Sequence, residues 1–564
     1  MASTELDATT KRWTLIAAVL GSGIVFLDST VVNVALPKIG EDLHSSLFST
    51  LEGQTYVYNG YLLTLSALLI LAGALSDYYG RKRMFALGLA GFGITSVLCG
   101  LAPNMELLIL FRILQGATGA LLVPGALALI NSTFRGEELG RAFGVWAGAS
   151  AATTILGPFV GGLLVDTISW RAVFFINVPL IALAYYATVR HVQESRDEDM
   201  VRKFDWLGAG VVALAVGGLA FGAIRGQQRN WQDVTAFIAL GVGAVATVAF
   251  PFLERRTAHP LVPLELFRSR NFTVTNISTL VIYGALYVTF YFLTLFLQGT
   301  LGYNAAAAGI AGVPGTLFLV LFSTRFGKLA ARYGPRMFMS VGPAIMALGV
   351  LWYTRVPAHS QAWVLSTGEG GRILPPVDYF TDFLPGLVLF GIGICIMVAP
   401  LTTALMTSVP EHNSGVASAV NNAISRVGPQ LAGAVIFVAI AASFYAGLAS
   451  RVPGLNPDAQ GLRERVAPLN QPTGRPLPRG GHAPVAPRLI AGARGASTDS
   501  FHLAMYLGAG LLFAGAAVNA VGIKNPPRRA AELPPEQVEP VPVPCGGCLA
   551  EREVTAGTAP PAET

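Results

Sequence analysis

The sequence predicts an all-α membrane protein in which fourteen spanning helices form two six-helix bundles with two extra central helices. The first observation is composition. Of 564 residues, 53% are hydrophobic and 12% are charged, whereas an ordinary globular protein carries about 25% charged residues. Second, the chain contains fourteen apolar runs, and about 20 such residues suffice to cross a bilayer. Third, turn signatures recur in the two halves of the chain, which indicates an internal repeat.

Lysine and arginine residues concentrate in alternate connections between the runs, and such connections lie in the cytoplasm. Both termini are therefore expected to be cytoplasmic, in a multi-pass protein of the cell membrane. The net charge of +6 reflects this topology, and no nucleic-acid partner is expected. The first run is too long for a cleavable signal and no small-residue cleavage site follows it. The predicted spans are 14–36, 54–76, 84–102, 107–130, 142–165, 173–190, 206–225, 235–253, 274–297, 305–324, 337–354, 383–407, 416–446 and 502–523.

A tight loop is predicted within residues 73–85, GALSDYYGRKRMF. An acidic residue ends one apolar helix, a glycine turns the backbone, and three adjacent cations precede the next apolar run. The loop resembles the signature of the major facilitator superfamily of secondary transporters, in which it acts as a gating element. The matching positions are Gly73, Asp77, Gly80, Arg81 and Lys82.

The first span carries Asp28 in its apolar middle, within LDSTVVNVALP at 27–37. An ionisable group at this depth is costly and marks a functional site by default; a quietly hydrogen-bonded carboxylate is the alternative. The stretch resembles the first-helix signature of the drug:proton antiporter branch with fourteen spans. It matches at Asp28, Thr30, Asn33, Ala35 and Pro37. A WRAVFFINVP stretch at 170–179 is also typical of that branch.

The fourth span contains LLILFRILQGATGA at 107–120, in which Arg112 needs a buried anion or carbonyl partner because arginine does not readily lose its proton. With a rise of about 1.5 Å per residue, Arg112 and Asp28 lie at comparable depth. The sequence therefore places these two residues together. Arg112, Gln115, Gly116 and Gly119 also match the family's fourth-helix motif. That resemblance implies that Asp28 and Arg112 couple transport to protons.

The fifth span contains LGPFVGG at 156–162, whose small residues allow another backbone to approach closely and whose proline bends the helix. The pattern is similar to the motif that marks exporters within the superfamily, although Thr153 stands where that motif often has glycine. An ordinary packing seam is the alternative. The motif positions are Gly157, Pro158, Gly161 and Gly162.

The internal repeat relates the two halves. Gly73 and Gly80 precede Arg81 as Gly327 and Gly334 precede Arg336. Ala331 occupies the place that corresponds to Asp77, so only the first loop has the acid. We expect Asp77 to contact the positive amino-terminal end of a helix in the second half, such as span thirteen. The predicted segments are an amino-terminal tail at 1–13, a bundle at 14–190, a linker with two extra spans at 191–271, a bundle at 272–523 that includes a long disordered outside loop at 449–500, and a disordered tail at 524–564.

Polar and aromatic residues in the spans are candidates for a substrate cavity between the bundles; hydrogen bonds between helices and ordinary aromatic packing are the alternatives. Tyrosines in span nine suit planar or cationic compounds. No second carboxylate lies deep in a span, which favours monocationic, zwitterionic or neutral amphiphiles over dications. The cavity candidates are Asn33, Gln115, Tyr287, Tyr291, Asn421, Asn422 and Arg426.

The sequence thus predicts a monomeric antiporter, with no enzyme activity, that exports amphiphilic drugs or antibiotics in exchange for protons. A proton-coupled nutrient importer and a transport-inactive membrane receptor or scaffold are the alternatives. No GxxxxGK[ST] phosphate loop occurs, so the proton gradient, and no ATP or other cofactor, is the expected energy source. Cys545 and Cys548 form a lone CGGC, for which zinc would need two further ligands; neither metal binding nor redox chemistry is expected there.

Overall fold

The computed structural model describes residues 7–43, 50–195, 204–228, 231, 233–365, 372–452, 468–469 and 487–525. Regular structure in these residues is helical, and fourteen helices are long and apolar enough to cross a membrane. The predicted number of spans is confirmed. The tail at 526–564, including Cys545 and Cys548, lies outside the described residues, as does most of the expected loop at 449–500.

The first seven spanning helices are α1 (Ala8–Asp42), α2 (Thr50–Tyr79), α3 (Arg81–Gly100), α4 (Met105–Thr133), α5 (Gly136–Thr167), α6 (Ala172–His191) and α7 (Trp206–Gln228). The others are α8 (Val234–Arg256), α9 (Arg270–Leu301), α10 (Ala306–Tyr333), α11 (Pro335–Trp352), α12 (Tyr379–Thr407), α13 (Ser414–Arg451) and α14 (Pro487–Gly522). Helix α4 is interrupted at residues 120–121, and α9 ends in a π-helical turn over Phe296–Leu301.

Two ends of the molecule can be distinguished by the contacts between helix termini. The end that holds the α2–α3 turn is called the Gly80 end, and the other is called the opposite end. Near the start of α1, Lys11 pairs with Glu138 of α5 at 2.8 Å. Arg135, just before α5, and Arg81 of the Gly80 turn both bind Glu411, so both helix starts lie at the Gly80 end. At the opposite end, the Trp170 indole donates to Asp42 at 2.8 Å and joins α1 to the α5–α6 turn.

The repeat predicted from the glycine spacing is present in the backbone. Gly80 precedes α3 with a φ of 107°, and Gly334 precedes α11 with a φ of 86°. Side chains other than glycine rarely adopt such angles, so both turns depend on glycine. Each half has its own apolar core: Phe85 and Phe92 are fully buried in the first, and Phe292 and Phe296 are buried in the second.

The two extra helices do not share equally in the packing. Helix α7 packs against α2 and α13, whereas α8 packs mainly on α7. Phe237, Ile238 and Val245 of α8 are exposed, as expected for side chains that face lipid. The extra pair is thus attached to the side of the bundles, and α7 alone reaches the space between them.

The predicted boundaries of the last span were wrong. The sequence placed residues up to 500 in an outside loop, but α14 begins at Pro487. Its first turns are rich in alanine, glycine and serine and lack strong apolar character, yet Ala493 and Ala496 are buried against Leu448 of α13. A salt bridge of 2.6 Å between Arg451 and Asp499 fixes the same contact. Helix packing, and not hydropathy, therefore sets this helix start.

Candidate functional site

A buried polar network occupies the middle of the first bundle. The Arg112 Nη1 atom donates to Asp28 Oδ2 at 2.6 Å. The other carboxylate oxygen, Oδ1, accepts from Gln115 Nε2 at 3.2 Å and from Asn177 Nδ2 at 3.1 Å. All four side chains are fully buried. The predicted proximity of Asp28 and Arg112 is present. Ser96 of α3 accepts from Asn177 at 3.0 Å, and with Val57 and Tyr61 of α2 five helices contribute to the network.

Hydrogen bonds and an aromatic ring surround the Arg112 guanidinium. Its Nε donates to the Val57 carbonyl at 3.2 Å, its Nη1 also donates to Gln115 Oε1 at 2.8 Å, and its charge lies 4.1 Å from the ring centre of Tyr61. The Tyr61 hydroxyl donates to the Val25 carbonyl at 3.2 Å. A buried arginine is tolerated where hydrogen bonds and an opposite charge replace water. The network is therefore built for an ionised Asp28 in this conformation.

Loss of the Asp28 charge would have a large local effect. Removal of one partner of a buried ion pair costs about 3–5 kcal/mol because the other charge is left unpaired. Protonation of Asp28 removes the same charge as a mutation would. Arg112 would then need new partners, and its Nη2 atom already has none among the described residues. Loss of the Asp28 charge would thus disturb the contacts that join these helices.

A second cluster closes the Gly80 end. The Asp77 carboxylate accepts from the backbone N–H groups of Gly415 at 3.1 Å and Val416 at 2.8 Å. These groups lie in the first turn of α13, where the helix dipole is positive. The contact predicted between Asp77 and the start of span thirteen is therefore present. Because α2 and α13 belong to different halves, Asp77 links the two bundles.

The cations of the α2–α3 loop bind Asp77 and the segments near it. Arg81 Nε lies 3.3 Å from Asp77 Oδ1, and Arg81 Nη2 donates to the Glu411 carbonyl. Lys82 Nζ donates to the Val189 carbonyl at 2.9 Å. The Glu194 carboxylate accepts from the N–H groups of Lys82 and Arg83, both at 3.1 Å, and so caps α3. Sequence reasoning missed Glu194 and Glu411, since nothing in their local pattern separates them from other charged loop residues.

We expect Asp77→Asn to reduce the population closed at the Gly80 end about tenfold, because hydrogen bonds to a charged group contribute about 1.5–3 kcal/mol and a neutral amide leaves Arg81 without its acid. Closure can be measured as the maleimide reactivity of Ala419→Cys, since Ala419 is buried at this contact. The tail cysteines are first replaced by serine.

The exposed pair of Arg135 and Glu411, 2.6 Å apart, provides the control for that measurement. Exposed pairs contribute about 0–1 kcal/mol, so Arg135→Gln is expected to leave the labelling rate nearly unchanged. Equal labelling rates for Asp77→Asn and the parent, together with unchanged transport, would show that Asp77 does not stabilise closure at the Gly80 end.

Glycines bring the backbones of the two halves into contact at the Gly80 end. A Cβ atom added to Gly73 would lie 2.5 Å from the Gly415 carbonyl oxygen. At the related position of the repeat, Gly140 of α5 meets the Gly327 carbonyl in the same way. The Ser323 hydroxyl of α10 adds a hydrogen bond of 2.8 Å to the Gly144 carbonyl. This structure is therefore closed at the Gly80 end by two repeat-related helix pairs.

The glycine motif of α5 lies against α1. A Cβ on Gly157 would collide with the Thr30 side chain, and one on Gly161 would lie 3.1 Å from the Val31 carbonyl. Gly162 has open space around it. Two of the predicted glycines thus allow α5 to approach the helix that carries Asp28, and the third does not.

We expect Gly157→Ala to destabilise the protein by about 1–3 kcal/mol through overpacking and to slow transport, because α1 and α5 can no longer approach each other as they do here. Gly162→Ala is the matched control and should behave like the parent. The measurements are the unfolding temperature in detergent and the initial transport rate. Equal unfolding temperatures for the two variants would contradict the packing seen here.

A cavity of about 650 Å³ lies between the bundles, nearer the opposite end. Its volume is typical of small-molecule sites. Helices α1, α2, α7, α9 and α13 contribute to its wall. The lining residues are Asn33, Tyr58, Asn59, Leu62, Ser66, Ala220, Ile224, Tyr287, Tyr291, Ser425, Arg426 and Pro429.

Four of the seven predicted cavity residues line this space: Asn33, Tyr287, Tyr291 and Arg426. The other three lie elsewhere, because polar residues in spans also bond to neighbouring helices. Gln115 belongs to the Asp28 network. Asn421 donates to Asn276 at 3.1 Å and to Thr279 at 2.8 Å on α9, and Asn422 donates to the Ser418 carbonyl one turn away at 2.9 Å. These three do not line the cavity described here, and their cavity role stays a prediction.

Sequence reasoning also missed Asn177 and Tyr61 as network members. Asn177 stands in the stretch that is typical of the fourteen-span branch, which was a usable signal. Tyr61 has no such signal, since aromatic residues are common packing residues in spans.

The fold and the site together define a secondary transporter. Two repeat-related bundles enclose a cavity at their interface, which is the architecture of membrane carriers that work by alternating access. A buried ionisable pair lies within the first bundle, and ionisable residues inside membrane spans typically mark ion or substrate pathways.

The chain belongs to the Major Facilitator Superfamily, whose sequence profile matches residues 18–434. The family predicted from the loop and helix motifs is confirmed. The chain is 33% identical over 450 residues to the multidrug resistance protein Stp of Mycobacterium tuberculosis, which covers 80% of this chain and 79% of that protein. It is 31% identical over 535 residues to the tetracenomycin C resistance and export protein of Streptomyces glaucescens, which covers 94% of each.

Among solved structures, the proton:xylose symporter XylE is similar with a TM-score of 0.54 at 12% identity, over 91% of this chain and 95% of that one. At this identity the similarity shows the fold alone.

Proposed function

We propose that this transporter exports amphiphilic drugs or antibiotics from the cell in exchange for protons. The observation that carries the proposal is the fully buried pair of Asp28 and Arg112, 2.6 Å apart; Arg112 also bonds to the carbonyl of Val57, which precedes Tyr58 of the cavity wall. Burial of a carboxylate inside the membrane costs free energy. A carboxylate that gains and loses a proton during transport has a function that accounts for this cost. The names of the resistance and export relatives support the export direction.

The Gly80 end is assigned to the cytoplasm, together with both termini. Its loops are rich in cations, among them Arg81, Lys82 and Arg83, and loops rich in lysine and arginine remain on the cytoplasmic side. With this orientation, the structure represents a state that is closed to the cytoplasm, with the cavity on the outer side. This is the state in which an exporter releases its cargo and takes up a proton.

In the proposed cycle, a proton from outside reaches Asp28 and neutralises it. Arg112 then loses its ionic partner and the α1–α4–α6 network reorganises. The new arrangement favours opening at the Gly80 end, where the contact of Asp77 with α13 must separate. Deprotonation of Asp28 toward the cytoplasm and uptake of cargo favour return. Coupling requires that proton and cargo prefer different conformations, and the buried pair supplies that difference for the proton.

The cycle needs a small amphiphilic substrate, protons and a lipid bilayer, and we propose that a monomer carries it out without a cofactor. The purified protein can be placed in liposomes with one fluorescent amphiphile at a time, an anionic dye, a neutral dye or the cationic dye ethidium, and then given an imposed pH gradient. Net movement of dye against the proton flow, abolished by a protonophore, is expected. Movement of the dye in the same direction as protons would support an importer, and gradient-independent movement would overturn proton coupling.

A further inference from the structure

The central cavity contains a positive charge with no counter-charge. Arg426 of α13 lines the cavity and is partly buried. Within the described part of the chain it has no ion pair and no hydrogen bond. The titratable groups in its electrostatic range are the phenols of Tyr58 and Tyr61, which are neutral. The two buried arginines of the described residues are paired, Arg112 with Asp28 and Arg81 with Asp77.

An unpaired arginine in a partly desolvated site is unfavourable in the empty protein, because lost hydration is not replaced. Its planar guanidinium is well suited to bind a carboxylate or a similar planar anion with two parallel hydrogen bonds. The other polar lining groups, among them Asn33, Asn59 and Ser425, are neutral. The cavity therefore presents one net positive charge to a ligand.

Two tyrosines form the aromatic part of the same wall. The rings of Tyr287 and Tyr291 are stacked, with centroids 5.4 Å apart and planes within 10° of parallel. With Pro429 they also line a nearly apolar groove of about 520 Å³ on the outside of α9. The pair thus borders the charged cavity on one side and a surface of the membrane span on the other. A flat aromatic ring can stack on such a pair.

We propose that the cavity binds a planar aromatic compound with a single negative charge, whose anionic group pairs with Arg426 while its ring system packs on Tyr287 and Tyr291. This inference rests on the proposed export function and names its substrate class. The tyrosines alone suggested a cationic ligand. The fixed positive charge of Arg426 beside them repels a cation, so the expected ligand is an anion.

Equilibrium binding tests the inference without transport. The protein is placed in nanodiscs of phosphatidylcholine near neutral pH, and two probes of the same shape are compared, anthraquinone-2-carboxylate and anthraquinone-2-carboxamide. We expect the carboxylate to bind about tenfold more tightly than the amide, the effect of one charge-assisted contact. Empty nanodiscs correct for partitioning into lipid.

Substitutions then identify the side chain that causes the preference for the carboxylate probe. Arg426→Gln should remove the preference for the carboxylate and leave the amide unaffected, whereas Arg426→Lys should keep most of it. Arg355→Gln, which removes an exposed cation beside Trp352, is the control and should change nothing. Thermal unfolding and gel filtration establish that each variant is folded.

The inference is overturned if the parent does not prefer the carboxylate, including the case in which neither probe binds, or if Arg426→Gln retains the preference. Displacement of the probe by phosphatidylglycerol added to the nanodiscs would assign the anion to a lipid headgroup and also overturn it. Export is a separate result: Arg426-dependent binding without proton-driven efflux would refute the proposed function alone, and efflux of ethidium without that binding would refute the inference alone.

Discussion

Asp28→Asn is expected to reduce proton-driven export to the level of empty liposomes. Asparagine has nearly the same shape but binds no proton in the physiological range, so the variant cannot alternate between a charged and a neutral state. It also leaves the Arg112 guanidinium unpaired in a fully buried site, which is costly. The measurement is net substrate movement driven by an imposed pH gradient, with protein amount and orientation matched to the parent.

Asp42→Asn is the matched control for this prediction. Asp42 is the last residue of the same helix, where it accepts a hydrogen bond of 2.8 Å from the Trp170 indole, and it is not part of the buried network. This control should keep gradient-driven export. Exchange of labelled for unlabelled substrate without a gradient should persist in Asp28→Asn if the protein is folded. Gradient-driven export by Asp28→Asn at the parental rate would contradict the mechanism at its central step.

Gly73→Val is expected to shift the molecule strongly away from the state described here. The added side chain would enter the space occupied by Ala419 and by the Gly415 carbonyl, and a backbone atom cannot move aside as a flexible side chain can. Overpacking of this kind costs about 1–3 kcal/mol, which changes a conformational ratio about 5- to 150-fold. Export should fall in proportion, because closure at the Gly80 end is part of each cycle.

Spin labels attached to cysteines that replace Tyr79 and His412, both exposed near the closed contact, report this shift through the distance measured by pulsed electron paramagnetic resonance. The parent is expected to show mainly short distances, and Gly73→Val mainly long ones. Gly210→Val in α7, where an added Cβ would meet nothing within 4 Å, is the control and should match the parent. Parental distances in Gly73→Val would show that this helix contact does not determine closure.

Much of this architecture could be predicted because membrane spans and repeats leave strong periodic signals. The contact of Asp77 with α13 followed from the repeat together with the helix dipole, and the proximity of Asp28 and Arg112 followed from their depth. The rotation of each helix about its axis leaves no such signal. Asn421 and Arg426 are both polar residues of one span, yet the first bonds to α9 and the second lines the cavity.

Other parts of the site depend on contacts between segments far apart in sequence. Asn177 reaches Asp28 only because α6 packs on α1, and Glu411 meets Arg81 only when the two halves close. Composition alone misplaced the start of α14, whose first turns are held by α13 and not by lipid. Such contacts depend on how the helices pack, so they could not be predicted from a single sequence.

The lone cation in the cavity also bears on the electrical driving force for transport. A monoanion that leaves the cell while one proton enters moves two positive charges inward per cycle. Each charge is worth about 2.3 kcal/mol at 100 mV, so the voltage alone would support a concentration ratio of roughly a thousandfold. A carrier with Arg426 in its cavity would thus continue to work in cells whose internal and external pH are equal.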